Sequence, residues 1–122
     1  MEAVFGREEE IIQWMELVRT VRCEFPGLET EESLEEHKQI VLKFMGKKQA
    51  LCVKVDEVIA GVILFSRGHS MICFLAVHPD YRKRGIGSIL LEKALSELDR
   101  SRDITVSTFR EDDPKGPAPR AL

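Results

Sequence analysis

The residues of this chain best suited to chemistry form a basic turn, Arg82-Lys83-Arg84-Gly85-Ile86-Gly87, which is followed by Ser88. An apolar strand is predicted directly before the turn and an apolar helix directly after it. The first turn of a helix has backbone N–H groups without partners and a positive dipole end. Gly85 and Gly87 have no side chains, so an anion can approach those amides closely. The pattern therefore predicts an anion site that suits a diphosphate.

The spacing of the glycines excludes two common phosphate-binding motifs. A P-loop has Lys and then Ser or Thr after its last glycine, whereas Gly87 is followed by Ser88 and Ile89. A dinucleotide fingerprint needs a third glycine where this chain has Leu90. Glycine pairs also make ordinary turns and basic triplets are usually solvated loops. The coincidence of both features with the preceding apolar strand favours a functional site.

The same segment resembles the acetyl-CoA-binding motif of the GNAT superfamily of N-acetyltransferases. That motif reads Arg/Gln-x-x-Gly-x-Gly/Ala, which matches residues 82–87, and residues 75–81 also match the family's approach to the loop. The resemblance covers most of residues 7–122. It implies an α/β fold with a mixed sheet and flanking helices, in a single domain over residues 1–122. It also implies a truncated fold, lacking the usual first strand and, after Leu122, the C-terminal helix and hairpin.

The activity implied by the resemblance is transfer of the acetyl group of acetyl-CoA to an amine, without a metal. The basic turn would bind the diphosphate, and the end of the preceding strand would bind the pantetheine arm through its backbone. The Val77 N–H is the implied donor to the thioester oxygen. The implied cofactor-binding residues are Leu75, Ala76, Val77, Arg82, Lys83, Arg84, Gly85, Ile86, Gly87 and Ser88.

The resemblance leaves the general acid and base unassigned. Many relatives have a glutamate on the strand equivalent to residues 71–77, which carries no carboxylate here, and the usual tyrosine would follow the end of the chain. His78 is interpreted as a loop-shaping or cofactor-side residue, and Tyr81 as a packing residue. His69 is interpreted as a solvated turn residue, and Cys73 as a small core residue because nothing nearby lowers a thiol pKa.

The acceptor side is implied to include Phe25, Leu28 and Glu29, between the first two helices. Carboxylates near an amine make electrostatic sense. The alternative is that acidic residues here simply begin a helix. The acceptor itself, a small molecule or a protein, is left open.

Composition and charge limit the class of protein, its compartment and its partners. The 122 residues suit one domain, and the 43 % hydrophobic content suits a soluble globular protein. No apolar run is long enough for a membrane span, and the acidic residues 8–10 do not resemble a signal peptide. Three separated cysteines predict free thiols and a reducing, cytoplasmic location. The net charge of −3 argues against general nucleic-acid binding.

Hydrophobic periodicity predicts the elements that position the basic turn. Thr30 is the expected N-cap of the second helix, with a second capping register at Ser33. Gly61 predicts a bulge or a close backbone approach. The last strand follows a helix, so it is expected to lie parallel to the third. The predicted helices cover residues 7–24, 30–45 and 85–98, and the strands cover residues 50–55, 58–65, 71–77 and 104–109.

Three functions are consistent with this pattern. The first is an active N-acetyltransferase, with turnover weakened by truncation. The second is a CoA-binding module without turnover. The third is an interaction protein or homodimer that pairs through the edge of the strand at residues 104–109, which no later strand is expected to cover.

Overall fold

The computed structural model of the chain describes residues 2–24, 28, 30–98, 105–106 and 120–121. Within this part of the chain, six strands form one sheet in the order β1-β2-β3-β4-β5-β6. The β4–β5 pair is parallel, as predicted, and the other pairs are antiparallel. The strands are β1 (Ala3–Phe5), β2 (Ala50–Val55), β3 (Val58–Ser66), β4 (Met71–Val77), β5 (Thr105–Val106) and β6 (Arg120–Ala121).

The first and last strands correct two expectations. β1 pairs with residues 51–53 of β2, so the expected absence of a first strand is wrong. β6 pairs with Thr105 and Val106, so the edge of β5 is covered at these two residues and does not offer the uncovered edge on which self-association was predicted. The rest of the predicted strand at residues 104–109 lies outside the described residues. Both strands are two or three residues long, too short for an alternating pattern to reveal them.

Three α-helices lie within the described residues, and the second and third begin at the predicted positions. They are α1 (Ile11–Val21), which lies between short 3-10 turns at Glu8–Glu10 and Arg22–Glu24, α2 (Glu31–Gly46) and α3 (Ile86–Ser96). Thr30 caps α2, since its Oγ1 accepts a hydrogen bond from the Ser33 N–H at 3.0 Å. The predicted cap at Thr30 is therefore confirmed and the alternative register at Ser33 is not used. Gly85 is the N-cap of α3.

Gly61 determines how closely α3 approaches the sheet. A Cβ at this position would lie 2.6 Å from Ile86 Cγ2 and 3.0 Å from Leu90 Cδ1, both on α3. The β2–β3 register also shifts beside it, between Val53 and Lys54. Both predicted reasons for this glycine, a bulge and a close approach, are present. The absence of a side chain lets the first turns of α3 rest directly on β3.

The core has two layers, one on each face of the sheet. Helices α1 and α2 cover one face, around the fully buried Trp14, and α3 covers the other, around Phe65. Phe74 and Ala76 of β4 belong to the first layer, whereas Leu75 and Val77 pack against the second. β4 is therefore covered on both faces, as its sequence predicted. Among the described residues, no helix is long and apolar enough to cross a membrane.

His37 on α2 couples stability to pH. Its ring lies 4.7 Å from the Phe74 ring, and its Nε2 is buried without a hydrogen-bond partner in the described structure. Burial lowers the pKa of His37 to about 4 from its usual 6.5. The folded protein therefore keeps this imidazole neutral at a pH where the unfolded chain protonates it.

We expect the free energy of unfolding to fall as the pH drops from 6.5 toward 4, because over this window the unfolded state binds a proton that the folded state excludes. The gap between the two pKa values corresponds to about 3 kcal/mol, at roughly 1.4 kcal/mol per unit. Above pH 6.5 His37 is neutral in both the folded and the unfolded state, so it no longer changes the free energy of unfolding with pH. Urea unfolding of the wild type and of His37→Phe across this range measures it. Equal pH slopes in both proteins would contradict the assignment.

Candidate functional site

The end of β4 presents backbone groups on the side away from β3. Val77 lies opposite Gly61, and the next residue, His78, donates its N–H to the Ala60 carbonyl at 2.7 Å. Opposite residues in an antiparallel pair alternate between hydrogen-bonded and non-bonded positions. The N–H and C=O of Val77, and by the same alternation those of Leu75, therefore point toward the β5 side. β5 is described only beside Met71 and Ile72, so the continuation of the predicted strand toward the end of β4 lies outside the described residues.

The loop after β4 is shaped by His78 and Tyr81. His78 Nδ1 accepts a hydrogen bond from the Asp80 N–H at 3.0 Å and caps the 3-10 turn at Pro79–Tyr81. The two rings meet edge to face, with centroids 5.5 Å apart, and the Arg84 guanidinium lies 5.3 Å from the Tyr81 ring centroid. The predicted loop-shaping role of His78 and packing role of Tyr81 are confirmed.

The start of α3 provides backbone donors. The first intrahelical bond runs from the Ile89 N–H to the Gly85 carbonyl at 3.0 Å, so the N–H groups of residues 86–88 have no acceptor within the helix. Gly85 has a φ of 80°, and a Cβ there would meet nothing within 4 Å. The space in front of these amides is therefore open on the side of Gly85.

The helix start lies next to the end of β4. A Cβ at Gly87 would lie 3.9 Å from Val77 Cγ2. The start of α3, with its unbonded amides, therefore lies beside the residue whose N–H points away from β3. The structure brings together the predicted residues of the strand end and those of the basic turn.

The three cations of the turn differ in their surroundings. All three are exposed, Lys83 with a φ of 66° and Arg84 over the Tyr81 ring. Arg82 instead donates from Nε to the Val77 carbonyl at 3.1 Å and from Nη2 to the Glu24 carboxylate at 2.7 and 2.8 Å. Glu24 was not predicted as a site residue. It is 58 residues away in sequence, and no local pattern signals such a pair.

The other predicted residues are placed as follows. Leu28 is buried in the core layer around Trp14, while Phe25 and Glu29 lie outside the described residues. Cys73 is half-buried, and burial raises the pKa of its thiol, as expected of a core cysteine. His69 is exposed in the turn after β3, as predicted.

An open cleft of about 280 Å³ lies on the α1 side of His78. Its walls come from α1 and from the start of β3. It therefore lies on the β3 side of β4, away from the outward N–H of Val77. The lining residues are Gln13, Glu16, Leu17, Thr20, Glu57, Val58, Ile59 and His78.

Comparison with known proteins identifies the family. The model of the acetyltransferase (GNAT) family matches residues 14–114. The chain belongs to the GNAT family of acetyltransferases, and the fold and family that the sequence predicted are confirmed. No curated protein matches the chain at a significant level.

Solved structures show the same fold. A GNAT acetyltransferase from Bacillus cereus superposes with a TM-score of 0.68 at 16 % identity, covering 86 % of this chain and 68 % of that one. PaiA N-acetyltransferase from Thermoplasma acidophilum, solved with coenzyme A, gives 0.65 at 18 % identity, covering 86 % and 77 %. A GCN5-related N-acetyltransferase from Kribbella flavida gives 0.65 at 18 % identity, covering 86 % of this chain, which spans only 28 % of that longer protein.

Proposed function

We propose that this chain binds acetyl-CoA at the surface formed by the end of β4 and the start of α3, and transfers its acetyl group to an amine. The observation that carries the proposal is the juxtaposition of the unbonded amides at residues 86–88 with the outward N–H of Val77. A family of acetyltransferases and a neighbour solved with coenzyme A support the choice of cofactor.

The first task is to hold the diphosphate, which falls to the α3 start. Three amides and the positive end of the helix dipole face the open space beside Gly85. Lys83 and Arg84 are exposed next to them and add charge. The Arg84 guanidinium lies 5.3 Å from the Tyr81 ring centroid, and this cation–π contact limits its freedom before an anion binds. The donor set therefore fits a doubly charged diphosphate.

The second task is to hold the acyl arm, which falls to β4. The outward backbone groups of Leu75 and Val77 can pair with an extended amide chain as a neighbouring strand would. The Val77 N–H then donates to the thioester oxygen, where negative charge develops during acyl transfer. Acetyl-CoA supplies the activated thioester. The protein supplies orientation and this donor, and we propose no side chain of β4 as a base because the strand has no carboxylate.

Calorimetry with acetyl-CoA, followed by thiol release with a panel of polyamines, amino acids and lysine peptides, tests the proposal. We expect saturable binding and, with at least one amine, CoA release matched by an acetylated product in mass spectra. Binding without any acetylated product would favour a CoA-binding module instead. No binding would contradict the proposed site.

Cys73→Ala is expected to leave acetyl transfer close to the wild-type rate. The thiol is half-buried against the core layer of α1 and α2, and its pKa is raised rather than lowered, so it is a poor nucleophile. Steady-state thiol release measures the effect. If turnover is lost while folding and acetyl-CoA binding persist, Cys73 is an acyl carrier and this interpretation is wrong.

A further inference from the structure

Among the described residues, Arg82 is the cation of the turn whose side chain donates hydrogen bonds to other protein groups. Its Nε donates to the Val77 carbonyl, and its Nη2 lies 2.7 Å and 2.8 Å from the two oxygens of Glu24. The Arg82 and Glu24 side chains are 42 % and 30 % exposed, so this is a partly buried pair at the surface of the site. The charge of Arg82 is thus largely matched within the protein.

The bond to Val77 fixes one particular peptide group. The Val77–His78 peptide donates its N–H to the Ala60 carbonyl on one side and accepts from Arg82 Nε on the other. Strand ends normally fray, and two bonds on opposite sides of the last peptide oppose this. The Val77 N–H belongs to the preceding peptide, so a fixed Val77–His78 peptide limits how far that N–H can turn when the strand end moves.

The same bond also closes the loop. Arg82 follows Val77 by five residues, so the contact returns the chain to the strand end just before Gly85. Glu24, at the end of the 3-10 turn after α1, orients the guanidinium from the opposite face of the sheet. The Arg82 side chain thus links three segments: the 3-10 turn after α1, the end of β4, and the approach to α3.

We infer that Arg82 is a positioning residue, which Glu24 holds in place to orient the Val77 amide toward the thioester oxygen, rather than a ligand of the diphosphate. The inference rests on the proposed function, because it assigns Val77 the role of oxyanion donor. It gives Glu24 a role in turnover without contact with either substrate. The diphosphate is then left to the amides of residues 86–88, with Lys83 and Arg84.

The test compares Arg82→Lys, Arg82→Gln and Glu24→Gln. Lysine keeps the charge but cannot bond Val77 and Glu24 at once in the geometry of a guanidinium. We expect all three variants to lower kcat by about tenfold or more, as small misplacements of reacting groups do, with the Kd for acetyl-CoA near the wild-type value. The double variant Arg82→Gln/Glu24→Gln should lose no more than Arg82→Gln alone, because the two residues act as a unit.

Glu97→Gln is the matched control. Glu97 pairs with Arg67 at 2.8 Å, with side-chain exposures of 26 % and 38 %, which resemble those of the Arg82 pair. Arg67 follows β3, whose last residue lies beside the start of β4, at the opposite end of the strand from Val77. This substitution is expected to leave kcat and the acetyl-CoA Kd unchanged.

A readout on the free protein separates this inference from the proposed function. In spectra of ¹⁵N-valine-labelled protein, Arg82→Gln and Glu24→Gln should both shift the Val77 amide signal, and Glu97→Gln should not. If acetyl-CoA does not bind to the wild type, the proposed function fails whatever these shifts are. If acetyl-CoA binds to the wild type, two results overturn the inference. One is weakened acetyl-CoA binding in Arg82→Gln with tighter binding in Glu24→Gln, which would make Arg82 a diphosphate ligand. The other is an unchanged Val77 signal.

Discussion

Gly85→Asp is expected to weaken acetyl-CoA binding by roughly 100-fold, or about 3 kcal/mol. Gly85 caps α3 with a φ of 80°, and the space around its missing Cβ is open. A carboxylate there lies where we propose that the diphosphate binds, against the unbonded amides of residues 86–88. It would occupy the donors and repel the ligand at the same time. Calorimetric titration with acetyl-CoA measures the loss.

Gly85→Asn is the matched control for this prediction. Asparagine and aspartate tolerate the left-handed conformation similarly and have nearly the same size, so the two variants share any backbone strain and differ in charge. We expect Gly85→Asn to retain most of the affinity. Equal losses in both variants would mean that the glycine is needed for its conformation and not for an anion in front of it.

Val77→Pro is expected to lower kcat by about 100- to 1,000-fold, the usual effect of removing one oxyanion donor. Proline deletes the Val77 N–H, which points away from β3, so the bonds between β3 and β4 on either side are kept. The side chain remains apolar and of similar size. Single-turnover thiol release from bound acetyl-CoA isolates the acyl-transfer step from binding.

Val77→Ala is the control, because it shortens the side chain and keeps the N–H. It is expected to transfer acetyl groups at a rate close to that of the wild type. The acetyl-CoA Kd and thermal midpoint of Val77→Pro should be measured alongside. A proline variant that is folded, binds acetyl-CoA and turns over normally would show that the Val77 amide is not the donor.

Much of this fold could be predicted from the sequence because its central elements carry strong local signals. β4 was predicted at residues 71–77 and is found there. A short, continuous apolar run between a turn and a proline is typical of a buried strand. The β2–β3 turn at Asp56 and Glu57 lies between the strands predicted at residues 50–55 and 58–65. Both residues have positive φ, at 53° and 68°, as a two-residue hairpin that follows the twist of its strands requires.

The remaining features depend on contacts between distant segments. β1 forms because its backbone pairs with the edge of β2. Its three residues are too few for an alternating pattern that would predict a strand. The basic turn was predicted as three equivalent cations. Only the fold shows that Arg82 is paired with Glu24, whereas Arg84 lies over the Tyr81 ring. This ion pair forms because the 3-10 turn after α1 packs near the basic turn in the folded protein. The residue spacing within the motif contains no information about that contact.

An acetyl-CoA titration followed by ¹H–¹⁵N NMR on the assigned protein tests the central claim most directly, because it locates the site without an acceptor. We expect saturable shifts in the amide signals of Val77, Ile86, Gly87 and Ser88, all with one Kd. The amides around Arg67, at the other end of the sheet, should stay in place. Shifts confined to other parts of the chain, or no saturable shift at all, would contradict the assignment of this surface to acetyl-CoA.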